Sequence, residues 1–441
     1  MDLTGRKVAV IGLGRSGASA ARFLFERGAR LVLIDRDQEV GRNTELTPGE
    51  LRLGPEDPRW VEGCDLVVTS PGVARDNPLL LHAVRLGVPV WSELELAARF
   101  FKRPIVAITG TNGKSTVTVM VGEIFKAAGM RAFVGGNLGV PLIEAMRGAY
   151  DVGVIEVSSY QLEWIDKFHP RVGVHLNLTE DHLDRYRDLE DYGRTKAKLF
   201  RNQNFRDWAF LNRDDPRVIA LARTIRAKVV SFGLSAPANA PALHLDRDAI
   251  VYDLGTRAGR IGLGGFAMRG RHNLMNAMAA AGAALALELE ASVIERALAG
   301  FKGLPHRIEL VRERNGVSFI DDSKGTNVGA VVEALAAVDG TVILIAGGMD
   351  KGGDYTPLVA PIGEKVRRLI LIGAAREKMK AALAGATEIS CVETLREAVA
   401  AAASIARPGE TVMLSPACSS FDQFRDYAER GDLFKELVRA L

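Results

Sequence analysis

The stretch AITGTNGKST, residues 107–116, carries the end of an apolar run through a glycine-bounded turn into the start of an amphipathic helix bearing a lysine and two hydroxyls. A strand, a tight turn and a helix in that order set backbone amides and a cation at a helix mouth, which is a way of holding phosphate. The spacing departs from G-x-x-x-x-G-K-[ST], because Ile108 stands where that motif has its first glycine. What remains, Gly110, Thr111, Asn112, Gly113, Lys114, Ser115 and Thr116, is a shorter loop with the parts that suit a triphosphate and magnesium. ATP is the expected ligand.

A second glycine loop lies upstream. Gly12, Gly14 and Gly17 in VIGLGRSG follow a β-rich run, and Asp35 ends the next one, where an acid would meet a ribose. On pattern alone this is a dinucleotide fingerprint, and an NAD-dependent dehydrogenase is the rival that takes it literally. The same glycines serve any nucleoside diphosphate, and a dehydrogenase leaves GTNGKST without a purpose.

Outward from these loops the chain alternates short buried runs with helical patterns. KVAVIG, RLVLID and CDLVVTSPG form a first series; IVAITG, DVGVIEVSS, RVGVHLNLT and DWAFLNRDD form a second; VSFIDDSKGT, TVILIAGGMD, RRLILIGAA and TVMLSPACSS form a third. Such alternation predicts an α/β protein of three doubly wound units, each binding its ligand beyond the carboxyl ends of its strands. The second series also holds ALHLDRDAIVYDLGTRAGRIGLGG, whose polar and apolar alternation predicts antiparallel strands and so a mixed sheet. Boundaries are expected near residues 93 and 303, giving domains over 1–92, 93–302 and 303–441.

The 441 residues, 47% hydrophobic and 25% charged, exceed what one core organises. A formal net charge of +3, with no basic run, argues against nucleic-acid or membrane partners and for small molecules. Cys64, Cys391 and Cys418 form no C-x-x-C pair, so neither a disulfide framework nor a structural zinc site is expected. No export signal or membrane span is read, and a cytoplasmic location follows as an expectation.

Further candidates sit at later strand ends. Glu156, Asp181 and His182 fall where two strands of the second series finish, and magnesium prefers such oxygen ligands, with imidazole an occasional addition. Lys196 and Lys198 in YGRTKAKLF read, on spacing alone, as a solvated helix face. Cys418 reads as a packed small residue.

Taken in order, TGTNGKST, EVSSYQLE, NLTEDHLDRY, YGRTKAKLF, RGRHNLMNAMAA, LPHRIE, DDSKGTN and SPACSSFDQF resemble the Mur ligases of peptidoglycan synthesis across nearly the whole chain. Within that family the match is nearest to the members that add D-glutamate. The resemblance implies three domains, an N-terminal Rossmann-like one for the UDP-sugar, a central ATPase and a C-terminal Rossmann-like one for the amino acid. It implies a monomer that joins D-glutamate to UDP-N-acetylmuramoyl-L-alanine through an acyl phosphate.

Residue by residue, the resemblance makes Lys114, His182, Lys196 and Lys324 catalytic. Ser115, Glu156, His182 and a carbamylated Lys196 would hold two magnesium ions, which replaces the solvated-face reading for Lys196 and leaves it for Lys198. Asn276, Arg307 and Asp322 would meet ATP, while Asn273 supports its helix start. Gly14, Arg15, Ser16, Asp35, Arg36, Ser70 and Asn137 would meet the UDP-substrate. Lys324, Thr326, Lys351, Ser420, the Phe421 amide and Tyr427 would line the D-glutamate pocket, with Tyr427 standing where phenylalanine is expected. The D-N-P of residues 76–78 is set aside, because the diaminopimelate-adding members carry D-N-P-R in the C-terminal domain and Leu79 follows here.

Overall fold

The computed structural model describes residues 1–40, 47–182, 185–268, 270–350 and 352–441. Lys351 lies outside the described residues.

The apolar runs become strands buried on both faces, as expected where helices cover a parallel sheet. Strands β1 (Lys7–Ile11), β2 (Arg30–Asp35), β3 (Glu50–Leu53), β4 (Leu66–Thr69) and β5 (Val90–Ser92) form a parallel sheet in the order β3-β2-β1-β4-β5. The second sheet takes β6 (Ile105–Thr109), β7 (Ala132–Gly136), β8 (Val152–Glu156), β9 (Val172–His175), β10 (Trp208–Asn212), β11 (Lys228–Gly233), β12 (Ala242–Asp246), β13 (Ala249–Asp253) and β14 (Ala258–Gly262). Its order is β14-β13-β12-β11-β10-β9-β6-β8-β7, parallel except for the predicted antiparallel pairs β12–β13 and β13–β14. The third takes β15 (Glu309–Arg314), β16 (Val317–Asp321), β17 (Val342–Gly347), β18 (Val366–Ile372), β19 (Glu388–Cys391) and β20 (Thr411–Leu414), in the order β15-β16-β20-β17-β18-β19. Only β15 runs antiparallel to its neighbour.

The chain divides into two compact units. The first holds residues 1–178, 190–265 and 276–300, with both N-terminal sheets; the second holds residues 179–189, 266–275 and 301–441, with the third sheet. Within the first unit the two sheets are joined by helix Glu93–Phe100. Its Glu95 carboxylate, fully buried, accepts the backbone N–H groups of Asp166, Lys167 and Phe168 and the Arg99 guanidinium. Buried carboxylates require such multiple donors. Among the described residues no helix is long and apolar enough to cross a membrane.

Asn77, Ser92, Ser158, Asn327, Thr394 and Asp426 each cap a helix through the side chain. The D-N-P stretch is therefore one of these caps, with Asn77 accepting from Leu79 N–H at 2.9 Å. Helices Arg15–Glu26 and Lys114–Ala127 instead begin on Gly14 and Gly113, neither with a side-chain cap. These are the two glycine loops.

Candidate active site

In the first loop, Gly17 is dictated by close approach, since a Cβ there would lie 1.8 Å from the Gly12 carbonyl oxygen. Ser70 Oγ donates to that same carbonyl at 2.5 Å, and Asp35 accepts Leu13 N–H at 2.6 Å. Both predicted side chains thus shape the loop. Arg15 donates to Gly139 O at 3.1 Å, tying the loop to the segment after β7 that carries Asn137. Arg36 is exposed, and a Cβ at Gly14 would meet open space.

In the second loop, Gly113 has φ +82, and a Cβ on it would lie 2.5 Å from Asn276 Oδ1, so Asn276, expected to meet ATP, packs on the phosphate loop. Lys114 Nζ lies 3.1 Å from Gly110 O and 2.7 Å from Thr111 O. Lys196 Nζ, its residue only 1% exposed, donates to the same Gly110 O at 2.8 Å. Lys114 and Lys196 thus converge on one carbonyl oxygen of the phosphate loop. Glu156, at the end of β8, accepts Ser115 Oγ at 2.5 Å and Asn137 Nδ2 at 2.6 Å. A buried carboxylate sharing a hydroxyl donor beside a phosphate loop is an oxygen-rich set that fits magnesium.

Two residues of this site escaped the sequence reading. Asn177 holds the loop in place, accepting Asn112 N–H at 2.8 Å and returning Nδ2 to Asn112 O at 3.1 Å. It stands in the NLTEDH stretch, but nothing local says which segment it reaches. His175 ends β9 opposite Thr109, 1% exposed, with both ring nitrogens lacking hydrogen-bond partners. Burial, then the Lys196 and Lys114 charges, push its pKa down to about 3.

That shift has a pH consequence. The folded state disfavours the imidazolium and the unfolded chain does not, so the stability from a neutral His175 is present above pH 6.5 and is lost as pH falls from there toward 3. His175→Leu is expected to lower the slope of melting temperature against pH between 6.5 and 4.5, read by thermal denaturation; an unchanged slope defeats this account. Glu93, buried and raised to about 7 chiefly by burial, acts oppositely, so the difference between variant and parent is the quantity to read.

Lys198 corrects its reading. It is half-buried, donates to Glu163 O at 2.9 Å, and has its pKa lowered by burial. It begins the short turn Lys198–Phe200 that follows helix Leu189–Ala197.

The remaining candidates belong to the second unit. His182, φ +58, lies beside Asp181, with Nε2 3.6 Å from Asp181 Oδ2. Asn273 is buried at its helix start. Asp322 is buried, accepts Ser415 Oγ at 2.6 Å, and burial lifts it to about 6. Arg307 Nε is buried without a hydrogen-bond partner, an orphan donor that fits its expected contact with ATP. Lys324 Nζ sits 5.1 Å from the Tyr427 ring centroid, and Thr326 N–H bonds to Lys324 O at 2.9 Å. Ser420 is buried and Phe421 exposed. Cys418 is a core residue whose thiol burial raises to about 11, so it stays neutral.

Along its length the chain matches three family models: the Mur ligase MurD-like N-terminal domain over residues 6–92, the Mur ligase middle domain over 108–284, and the Mur ligase glutamate ligase domain over 306–418. It is 46% identical over 449 residues to a UDP-N-acetylmuramoylalanine--D-glutamate ligase of Geotalea daltonii, covering 100% of this chain and 99% of the relative. The chain belongs to the Mur ligase family. Proteins of the same name from Syntrophotalea carbinolica and Pelotomaculum thermopropionicum are 46% and 44% identical to this Mur ligase, each over 100% of the chain and 99% of the relative.

Solved structures of similar fold include a pseudomurein peptide ligase type C from Methanothermus fervidus, with TM-score 0.64, 19% identity and coverage of 99% and 100%. A UDP-N-acetylmuramate-alanine ligase from Thermotoga maritima gives TM-score 0.60, 19% identity and coverage of 98% and 99%. These two show that the Mur ligase fold is shared.

Proposed function

We infer that this Mur ligase is an ATP-dependent, ADP-forming ligase that adds D-glutamate to UDP-N-acetylmuramoyl-L-alanine in peptidoglycan precursor synthesis. The observation carrying this is full-length likeness, at 44–46% identity, to ligases of that name. The cation-lined Gly110 loop is consistent with it.

In the reaction, the L-alanyl carboxylate attacks the γ-phosphate of ATP, giving an acyl phosphate and ADP. The amine of D-glutamate then attacks the acyl carbon and phosphate leaves. An anion approaching a polyanion is opposed electrostatically, and we assign Lys114 and Lys324 to offset that charge. Ser115, Glu156, His182 and a carbamylated Lys196 are the proposed magnesium ligands; bound magnesium would screen the phosphate charge. Asn276, Arg307 and Asp322 are assigned to ATP. Gly14, the amides of Arg15 and Ser16, Asp35, Arg36, Ser70 and Asn137 are assigned to the UDP-substrate. Lys324, Thr326, Lys351, Ser420, the Phe421 amide and Tyr427 are assigned to D-glutamate. Domains over 1–92, 93–302 and 303–441, acting in one cytoplasmic monomer, complete the proposal.

The test is phosphate release with ATP, magnesium and UDP-N-acetylmuramoyl-L-alanine, challenged in parallel with D-glutamate, L-glutamate, L-alanine, L-lysine and diaminopimelate. Release with D-glutamate alone is expected. Release with another amino acid instead would discard the pocket assignment, and silence with all of them would discard the reaction.

A further inference from the structure

Arg430, in helix Tyr427–Ala440, is 1% exposed and among the largest fully buried side chains of the protein. Its guanidinium reaches two loops. Nε donates to Ser323 Oγ at 3.0 Å and Nη2 to Ser323 O at 2.8 Å; Nη2 also lies 3.3 Å from Cys418 O, and Nη1 3.4 Å from Ser419 O. Ser323 Oγ passes the contact on, donating to Tyr427 O at 2.8 Å. A third loop joins through Ser419, whose carbonyl also accepts Met349 N–H at 2.9 Å. A Cβ on Gly348 would lie 3.2 Å from Nη1.

These loops leave the carboxyl ends of β16, β17 and β20, three neighbours in one sheet, where an open α/β sheet takes its ligand. One carries Lys324 and Thr326, another Ser420 and Phe421, and Tyr427 begins Arg430's own helix. The hydrogen-bond partners of the guanidinium are three carbonyls and one hydroxyl, all neutral. Burial lowers its pKa to about 10, which leaves it charged at neutral pH, with Asp422, Asp321 and Asp322 acting only at longer range. A buried charge without a direct ion pair is costly, and an apolar side chain of similar reach would fill the space at less cost.

We propose that Arg430 is a positioning residue for the amino-acid substrate, pinning the Ser323–Thr326 and Cys418–Phe421 loops in one arrangement and adding positive potential beneath the dicarboxylate. The proposal rests on the assignment of these loops to D-glutamate. Its geometry is internal to the second unit.

Steady-state kinetics on the full chain test it. Arg430→Met is expected to raise KM for D-glutamate about 10- to 100-fold, the scale on which small displacements of positioning groups act. KM for the UDP-substrate should stay within about threefold, since none of its assigned residues belongs to these loops. Arg430→Lys should recover part of the loss, because it keeps the charge and loses the fork. A uniform fall in kcat with KM for D-glutamate unchanged would mark Arg430 as structural only and overturn the proposal.

If Arg430→Met does not fold, Ser323→Ala serves in its place. It removes the Nε acceptor and the tie to Tyr427, and should raise the same KM several-fold; an unchanged value overturns the proposal equally. Should the unmodified enzyme use a different amino acid, the functional reading fails separately, and KM for that amino acid becomes the quantity judged.

Discussion

Lys196→Ala is expected to lower kcat by about 10³ or more, the upper range for losing one preorganised charge-stabilising group. The side chain is buried, stands over the Tyr192 ring at 4.5 Å, and shares Gly110 O with Lys114. As an ammonium it would add a second cation to a loop that already has one. As a carbamate it reverses its charge and becomes an oxygen ligand, which is the state we propose. Alanine removes both forms. A small carboxylate such as acetate or formate, diffusing into the vacated space, should then restore part of the rate, whereas added amine should not. Incorporation of ¹³C-labelled bicarbonate, read by carbon NMR of the unmodified protein and absent from the variant, gives a readout apart from turnover. An active alanine variant would remove Lys196 from the mechanism.

The second large effect concerns the incoming amino acid. A pocket that pairs both carboxylates of D-glutamate leaves buried donors unmet when one carboxylate is missing, and such sites discriminate by roughly 10⁴. D-alanine should therefore be used at about 10⁻⁴ of the kcat/KM of D-glutamate. Lys324, half-buried against the Tyr427 ring, is the described cation on which this rests. Competition assays with both amino acids present measure the ratio directly. Turnover of D-alanine within about tenfold of D-glutamate would refute the dicarboxylate pocket.

The two glycine loops were legible because their reasons are local. Gly113 adopts a positive φ that its own backbone sterics reserve for glycine, and its helix starts without a side-chain cap within the same few residues. Asn77, capping a helix over a two-residue span, shows the opposite kind of start, also written locally. The near-continuous apolar runs of β1, β6 and β17 likewise announced parallel strands covered on both faces. The antiparallel pairs β12–β13 and β13–β14 came from a period of two.

Partnerships across the sheets were another matter. Glu156 could be named from its strand end, but its bonds to Ser115 and Asn137 span 41 and 19 residues, and the adjacency of β8 to both β6 and β7 creates them. Lys196 meets Gly110 across 86 residues, and Arg430 meets Ser323 across 107. On spacing alone Lys196 and Lys198 looked alike. Packing buried one on the phosphate loop and turned the other onto the Glu163 carbonyl. The sequence by itself determined the elements, the loops and the chemical types at their mouths, since these follow from steric limits and hydrophobic period within a few residues. Tertiary structure alone decided which charges share an oxygen and which are buried without a counterion, because strand order brings distant segments together and desolvation acts only after they meet.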